Sequence, residues 1–349
     1  MKKNILILCG GPSSEHEISI RSAYNIYKYM DTSLFNPILV GISRTRQFYT
    51  ITKKQLDELY ANFGFVEDNM YPYAKLDGLQ IDVCFPALHG AGGEDGSIQG
   101  YLESLNIPYV GNNVTASAIC MDKDITKRLL ESHNLPVVPF ITAKQDDLVP
   151  YKIVSQKLGK TLFLKCVNQG SSIGTYKILN EQEYNLYLKE AFTFGPKVLI
   201  EKAIKGREIE CAIIGNNKLE ASVLGEIIPK SNHAFYDYNA KKNDQAQLII
   251  NAKIDPIIET TIKNLAKKAF KALDCSGLAR VDFFLTDQNE VFINEINTLP
   301  GFTEFSLYPK LFLHNGITFT ELITKLIHLA AEKTLMRDVI LPFNSETIL

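Results

Sequence analysis

Arg280-Val281-Asp282-Phe283-Phe284 and Phe292-Ile293-Asn294-Glu295-Ile296-Asn297 are two apolar runs, each carrying polar residues two positions apart. Side chains alternate faces along a strand, so Arg280 and Asp282 point one way while Val281, Phe283 and Leu285 point the other. Glu295 and Asn297 likewise share a face. Thr286-Asp287-Gln288-Asn289 between the runs reads as a hairpin connection. One patch then gathers two carboxylates, an amide oxygen and a guanidinium. Hard oxygen ligands beside a positive side chain suit Mg²⁺ with bound phosphates. A structural salt-bridge cluster has the same composition, and this segment alone does not separate the two.

Other segments carry weaker signals. Gly170-Ser171-Ser172-Ile173-Gly174 follows the strand-like Leu162-Phe163-Leu164-Lys165. Small residues let backbone N–H groups approach phosphate, with Lys165 above them, but a tight β-turn reads the same way. It is not a Walker A loop, which needs G-K-[ST] and a following helix. Val198-Leu199-Ile200-Glu201-Lys202-Ala203-Ile204 ends a strand in a charged pair and an apolar pair. An adenine edge needs such donors, acceptors and walls; a solvated strand end needs nothing. Gly10-Gly11-Pro12-Ser13-Ser14-Glu15-His16 and His89-Gly90-Ala91-Gly92-Gly93-Glu94-Asp95-Gly96 each follow a strand and precede a helix. Open α/β sheets bind ligands there, where helix N-termini add partial positive charge. Turn glycines and helix caps are the plainer explanation.

Periodicity supplies the elements that must position these residues. The N-terminal third alternates strand and helix. Strands are expected at Asn4–Cys9, Pro37–Ile42, Ile81–Leu88 and Pro108–Val110. Helices are expected from a Ser14/Glu17 capping box to Met30, at Lys53–Tyr60 and at Gly96–Leu105. From about Thr115 the pattern becomes α+β. Helices are expected at Asp124–Ser132, Glu181–Phe194 and Pro256–Leu273. Strands are expected at Val137–Ile141, Thr161–Cys166, Thr175–Leu179, Val198–Lys202 and Glu208–Ile214, before the hairpin. Lys230–Gln247 has little periodicity and reads as a functional loop or lid.

The bulk numbers exclude several classes. A chain of 349 residues with formal net charge −2 has no general basic surface for nucleic acid or an anionic membrane. No apolar run approaches the ~20 residues that span a bilayer. Ile5-Leu6-Ile7-Leu8 is too short for a signal peptide and stops at Gly10-Gly11-Pro12. The six cysteines are scattered without a C-x-x-C pair, which favours a reducing cytoplasmic setting.

Taken in order, these motifs resemble those of D-alanine–D-alanine ligases, members of the ATP-grasp superfamily. The matching pieces are Gly10 through Ser19, His89 through Gly96, Met121-Asp122-Lys123, Gln169 through Gly174 and Gly206-Arg207-Glu208-Ile209-Glu210. Phe235-Tyr236-Asp237-Tyr238, Arg280-Val281-Asp282 and Asn294 through Gly301 complete them. The match runs up to about residue 335. It implies an N-terminal parallel α/β substrate domain (1–122), a central ATP-grasp domain (123–212) and a C-terminal ATP-grasp domain (213–349). It also implies ATP as co-substrate, D-alanine as substrate, a product feeding peptidoglycan synthesis and a homodimer.

The same resemblance implies roles. Asp282, Glu295 and Asn297 would hold two Mg²⁺ ions, with Mn²⁺ an acceptable substitute. Lys123, Lys165 and Lys241 would contact phosphates. Glu201, Lys202, Ala203, Ile204 and Glu208 would contact adenine and ribose. Glu15 would hold the first D-alanine's ammonium with His89 nearby, and Ser171 would act through a link to Glu15. Arg280 and the Gly301 N–H would form the oxyanion site. Ser306 and Leu307 would bind the second D-alanine. Two departures stand out. Cys166 follows Lys165 where relatives usually have proline, a tolerable change. Lys242 stands where relatives usually place a tyrosine. Lysine cannot accept a hydrogen bond but can pair with Glu15. The loop is therefore expected to close with altered second-substrate affinity, and D-lactate or D-serine remains an alternative acceptor. A nucleotide-binding protein without catalysis would not need Arg280, Asp282, Glu295 and Asn297 together. Glu15 through Ser19 and His89-Gly90 disfavour other ATP-grasp carboxylate–amine ligases.

Overall fold

The structure, a computed structural model, describes residues 2–68, 72–171, 173–229 and 246–339. In chain order the first elements are β1 (Lys3–Gly10), α1 (His16–Tyr29), β2 (Phe35–Ile42), β3 (Phe48–Thr50), α2 (Lys53–Ala61), β4 (Val83–Pro86) and α3 (Ser97–Ser104). The sheet order is β3-β2-β1-β4, with β1 parallel to β2 and β4, and β3 antiparallel at the edge. Ile5 to Cys9 are completely buried. Such an unbroken apolar strand forms where both faces of a parallel sheet are covered. The chain leaves β1 through Gly10, whose φ of +89° and contact with the Ile42 carbonyl leave no room for a Cβ.

The expected Ser14/Glu17 capping box does not form. Glu15 is the N-cap of α1 and makes no side-chain cap bond. The entry is tied differently: the Glu15 N–H donates to Ser13 Oγ at 3.1 Å, and His16 Nδ1 donates to the Gly11 carbonyl at 2.7 Å. Pro108–Val110 is likewise not a strand; Tyr109 alone bridges to Cys84.

The middle of the chain forms α4 (Val114–Met121), α5 (Lys123–Ser132), β5 (Phe140–Lys144), α6 (Tyr151–Leu158), β6 (Leu162–Cys166), β7 (Thr175–Ile178), α7 (Glu181–Ala191) and β8 (Lys197–Lys202). An antiparallel sheet of order β5-β8-β6-β7 results. Helices α4 and α6 have no counterpart in the periodicity reading. Asp122 caps α5 by accepting the Asp124 and Ile125 N–H groups and is held by Lys197 at 2.7 Å. This puts Lys123 and Lys127 one turn apart on one face of α5. Strand β5 begins three residues later than expected because the preceding segment pairs elsewhere. Val137 bridges to Ile293, and the Pro136 carbonyl accepts the Ile293 N–H at 2.8 Å.

The remaining elements are β9 (Gly206–Gly215), β10 (Glu220–Pro229), β11 (Ala246–Ile250), α8 (Pro256–Ala272), β12 (Gly277–Thr286), β13 (Val291–Asn297), α9 (Leu307–His314) and α10 (Phe319–Val339). The sheet order is β11-β10-β9-β12-β13, antiparallel throughout. Gln247 thus belongs to a strand rather than to the expected loop. Ile262, Ala266, Ala269 and Phe270 of α8 pack in one core with Val281, Phe283, Leu285, Ile293 and Ile296. That burial commits one face of the β12–β13 hairpin to the core and leaves the other to its polar residues. A β-bulge sits beside Asp282: Asp282 pairs with Glu295, but Phe283 pairs with Ile293. Asn294 is the extra residue. It shifts the alternation so that Ile293 and Ile296 are both buried, while Asn294 and Glu295 are both only partly buried.

Candidate active site

The hairpin's polar residues converge. Arg280 Nε and Nη2 donate to the two oxygens of Asp282 at 2.8 and 2.7 Å, and Nε lies 3.0 Å from Glu210 Oε2. Asn297 Nδ2 donates to Asp282 Oδ2 at 2.9 Å, which leaves its carbonyl oxygen as the atom for a cation. Glu295 lies opposite Asp282 in the ladder. Burial works against the Arg280 charge, but Asp282 and Glu210 outweigh it and raise its pKa well above the ordinary guanidinium value. Among the described residues no cluster of three or more His, Cys, Asp or Glu could hold a metal ion. Two carboxylates and one amide fit Mg²⁺ of the kind that completes its shell with phosphate oxygens and water.

Cations from α5 and from β6 of the central sheet reach this patch. Lys123 Nζ donates to the Gln169 carbonyl at 2.8 Å and lies 3.5 Å from Glu295 Oε2. Lys165 Nζ donates to Asn294 Oδ1 at 3.0 Å and pairs with Glu201 Oε2 at 2.6 Å. The other Glu201 oxygen pairs with Lys127 Nζ, also at 2.6 Å. Burial opposes the charge on Glu201, yet Lys127 and Lys165 together hold its carboxyl below the ordinary value. Lys202, at the end of β8, is exposed, Ala203 and Ile204 after it are half-buried, and so is Glu208 on β9. The Ala203 N–H is already spent on the Thr161 carbonyl at 3.2 Å, so it is not the free adenine donor considered from sequence. Lys241 and Lys242 lie outside the described residues.

A second group forms around Glu15. Ser171, in the left-handed region with φ +52°, donates through Oγ to Glu15 Oε1 at 2.6 Å. Glu94 accepts the Gly90 N–H at 2.8 Å and the Leu299 N–H at 3.3 Å. Burial and the nearby Glu15 charge push the Glu94 carboxyl up to about 7.

The loop Leu299-Pro300-Gly301-Phe302 is clamped on both sides of Gly301. Phe302 N–H donates to Ser22 Oγ at 3.1 Å, and the Ser22 hydroxyl donates to His89 Nε2 at 2.9 Å. His89 Nδ1–H donates to the Leu299 carbonyl at 3.0 Å, and Asn25 Nδ2 donates to the Phe302 carbonyl at 3.0 Å. Both His89 nitrogens are therefore committed, and the buried ring reaches the site through this loop rather than by direct substrate contact. An added Cβ at Gly301 would sit 2.5 Å from Ser306 Oγ, so the hydroxyl would have to turn away from the Thr303 N–H that it accepts. Ser306 Oγ accepts the Thr303 N–H at 3.0 Å and precedes α9. The Leu307 side chain is buried in the core, leaving its helix-start N–H as the group it can offer.

The clamp makes a prediction. His89→Ala should lower kcat by about 10- to 10²-fold through loss of loop geometry, with KM for ATP nearly unchanged. Burial lowers the His89 pKa, with Glu15 only partly opposing. The unfolded chain then binds the proton more readily. Stability from this site should fall as pH drops below the ordinary histidine value of about 6.5. Melting curves of wild type and His89→Gln against pH would test it; parallel curves would refute a neutral, load-carrying ring.

Sequence reading assigned no role to Ser22, Asn25, Lys127, Asn294 or Glu210. Lys127, four residues after Lys123 on a helical face, carried a signal that could have been used. Nothing local distinguishes Ser22, Asn25 or Asn294.

Comparison with known proteins shows the family. The family model described as D-ala D-ala ligase N-terminus matches residues 4–112, and the one described as D-ala D-ala ligase C-terminus matches residues 129–328. A D-alanine–D-alanine ligase of Proteus mirabilis is 44% identical, over 95% of this chain and 96% of that protein. The solved D-alanine-D-alanine ligase of Coxiella burnetii superposes with a TM-score of 0.83 at 37% identity, covering 97% of this chain and 98% of that one. The VanG D-Ala:D-Ser ligase of Enterococcus faecalis gives 0.84 at 34% identity, covering 95% and 100%. Matched along nearly its whole length by both family models and by a close relative, the chain belongs to the D-alanine–D-alanine ligase family.

Proposed function

We propose that this protein joins two D-alanine molecules at the expense of ATP, giving D-alanyl-D-alanine for peptidoglycan synthesis. A carboxylate is a poor acyl donor because its leaving group would be an oxide. In the first step a carboxylate oxygen of one D-alanine attacks the γ-phosphorus, the bond to the β-phosphate oxygen breaks, and ADP leaves. In the second, the deprotonated amine of another D-alanine attacks the acyl carbon. The C–N bond forms, the C–O bond to phosphate breaks, and inorganic phosphate departs.

The observation that carries this reading is the meeting of two sheets. Lys123 and Lys165 of the central segment lie against Glu295 and Asn294 of the hairpin. Between them a polyphosphate would meet the lysines on one side, and Asp282, Glu295 and Asn297 on the other would hold Mg²⁺ to offset its charge. Bound Mg²⁺ would neutralise phosphate charge and orient the γ-phosphate. Glu15, oriented by Ser171, holds the first ammonium. Arg280 and the Gly301 N–H face the acyl oxygen that gains charge in the tetrahedral intermediate of the second step. Ser306 and the Leu307 N–H receive the second carboxylate. Glu201, Lys202, Ile204 and Glu208 take adenine and ribose. The segments expected as substrate (1–122), central (123–212) and C-terminal (213–349) domains would act as such, except that the last boundary moves to about residue 205, because all of β9 (Gly206–Gly215) pairs within the C-terminal sheet. The described residues contain no helix long and apolar enough to cross a membrane. A cytoplasmic homodimer, with no nucleic-acid partner, is the corresponding assembly.

Product analysis tests the activity. Given Mg-ATP and equal D-alanine, D-serine and D-lactate, the enzyme should make chiefly D-alanyl-D-alanine, with one ADP and one phosphate per product. A dominant mixed product would move it to the D-serine or D-lactate class. Absence of D-alanine-dependent phosphate release would refute ligation altogether.

A further inference from the structure

Lys127 is a buried titratable group to which the proposed chemistry gives no part. It is 1% exposed, and its ammonium is spent on Glu201 at 2.6 Å. A lone ammonium at such a place is costly and persists only when paired. Its partner is Glu201, itself 2% exposed, whose two oxygens are divided between Lys127 and Lys165 at 2.6 Å each. Phe140, the first residue of β5, lies with its ring centroid 5.8 Å from the Lys127 ammonium.

The arithmetic of charge is the argument. Glu201 carries one negative charge and meets two cations. Lys165 also reaches Asn294 on the hairpin and is placed to serve phosphate. If Lys165 were the only counter-ion of Glu201, a phosphate and this carboxylate would compete for the same ammonium. A second cation, sealed from solvent and held at a fixed place on α5, removes that competition. It also holds one carboxylate oxygen, which fixes the direction of the other.

We propose that Lys127 is a positioning residue of the nucleotide site: it keeps Glu201 anionic and oriented as an acceptor for the adenine amine, and so leaves Lys165 for phosphate. This rests on the reading of Glu201 as an adenine contact.

The test uses the whole enzyme and compares ATP with purine riboside triphosphate, which lacks the 6-amino group. Lys127→Met should raise KM for ATP by about tenfold or more, the worth of a hydrogen bond to a charged group, while KM for D-alanine stays unchanged. The preference for ATP over the deaminated nucleotide should shrink by a similar factor. Lys127→Arg should largely preserve both. Lys127→Met combined with Glu201→Gln should match Glu201→Gln alone, because Lys127 acts only through that carboxylate. This double variant also removes the unpaired buried charge, so it serves if Lys127→Met does not fold. Additive losses in the double variant, or a lowered melting temperature with unchanged nucleotide preference, would overturn the proposal. If Glu201→Gln itself leaves ATP binding and amine preference unaltered, the adenine assignment fails instead, and Lys127 then has nothing to position.

Discussion

Glu295→Gln should reduce dipeptide synthesis by more than about 10³-fold, because metal-assisted charge stabilisation is worth several kcal/mol and each ~1.4 kcal/mol is tenfold in rate. The substitution keeps shape and removes one anionic oxygen donor opposite Asp282. It also relieves Lys123, 3.5 Å away, of an acidic neighbour, so binding of nucleotide without metal should not weaken. The decisive comparison is Mg²⁺ dependence. The variant should need far more Mg²⁺ for residual turnover, while ADP binding in a chelator stays near wild type. Full activity at ordinary Mg²⁺ would remove Glu295 from the metal site and, with it, the reason for three oxygen donors on this hairpin.

Arg280→Met should lower kcat by about 10²–10³-fold, the usual loss on deleting one donor to a developing oxyanion. Its guanidinium does more than face substrate. It grips Asp282 with two hydrogen bonds and lies 3.0 Å from the buried Glu210. Deleting it takes that charge away from the buried Glu210 carboxylate, which should lower the melting temperature as well. Arg280→Lys separates the two effects. It restores a positive charge and most of the stability but cannot reproduce the fork geometry. Its kcat should remain well below wild type, and affinity for a tetrahedral phosphinate analogue should fall more than affinity for D-alanine. If Arg280→Lys turned over like the wild type, or if ground-state and tetrahedral ligands weakened equally, the guanidinium would be a structural tie only.

Much of this was legible in the residues. The alternation of Val281, Phe283 and Leu285 against Arg280 and Asp282 predicted the hairpin and its polar face, and the β12 and β13 ladder has that form. The buried run Ile5–Cys9 was readable as a parallel strand because no polar residue interrupts it. Where local reading failed, another contact had won. The capping box lost to the Gly10-Gly11 turn pinned by His16, and the strand expected at Val137 lost to pairing with Ile293. Helix α4 is apolar on most sides and so shows no distinct face, whereas α6, no shorter than α3 and burying Val154 and Leu158 one turn apart, carried a pattern that was missed.

The sequence by itself determined which chemical groups this protein possesses and, through their ordered motifs, which family it resembles. Spacing along a chain reports which residues share a face of one strand or one helix, since those periods are local. Only the tertiary structure decided which faces meet. By simple alternation Asn294 and Glu295 point to opposite sides of β13. The bulge, enforced by burial of Ile293 and Ile296 under α8, leaves both to meet lysines of the central segment, Lys165 on β6 and Lys123 on α5. Lys127 and Glu201, Ser171 and Glu15, Ser22 and Phe302 are likewise pairs made across 74, 156 and 280 residues of chain. Such distances carry no periodic signal, because the energy that closes them comes from the packed cores and not from the intervening sequence.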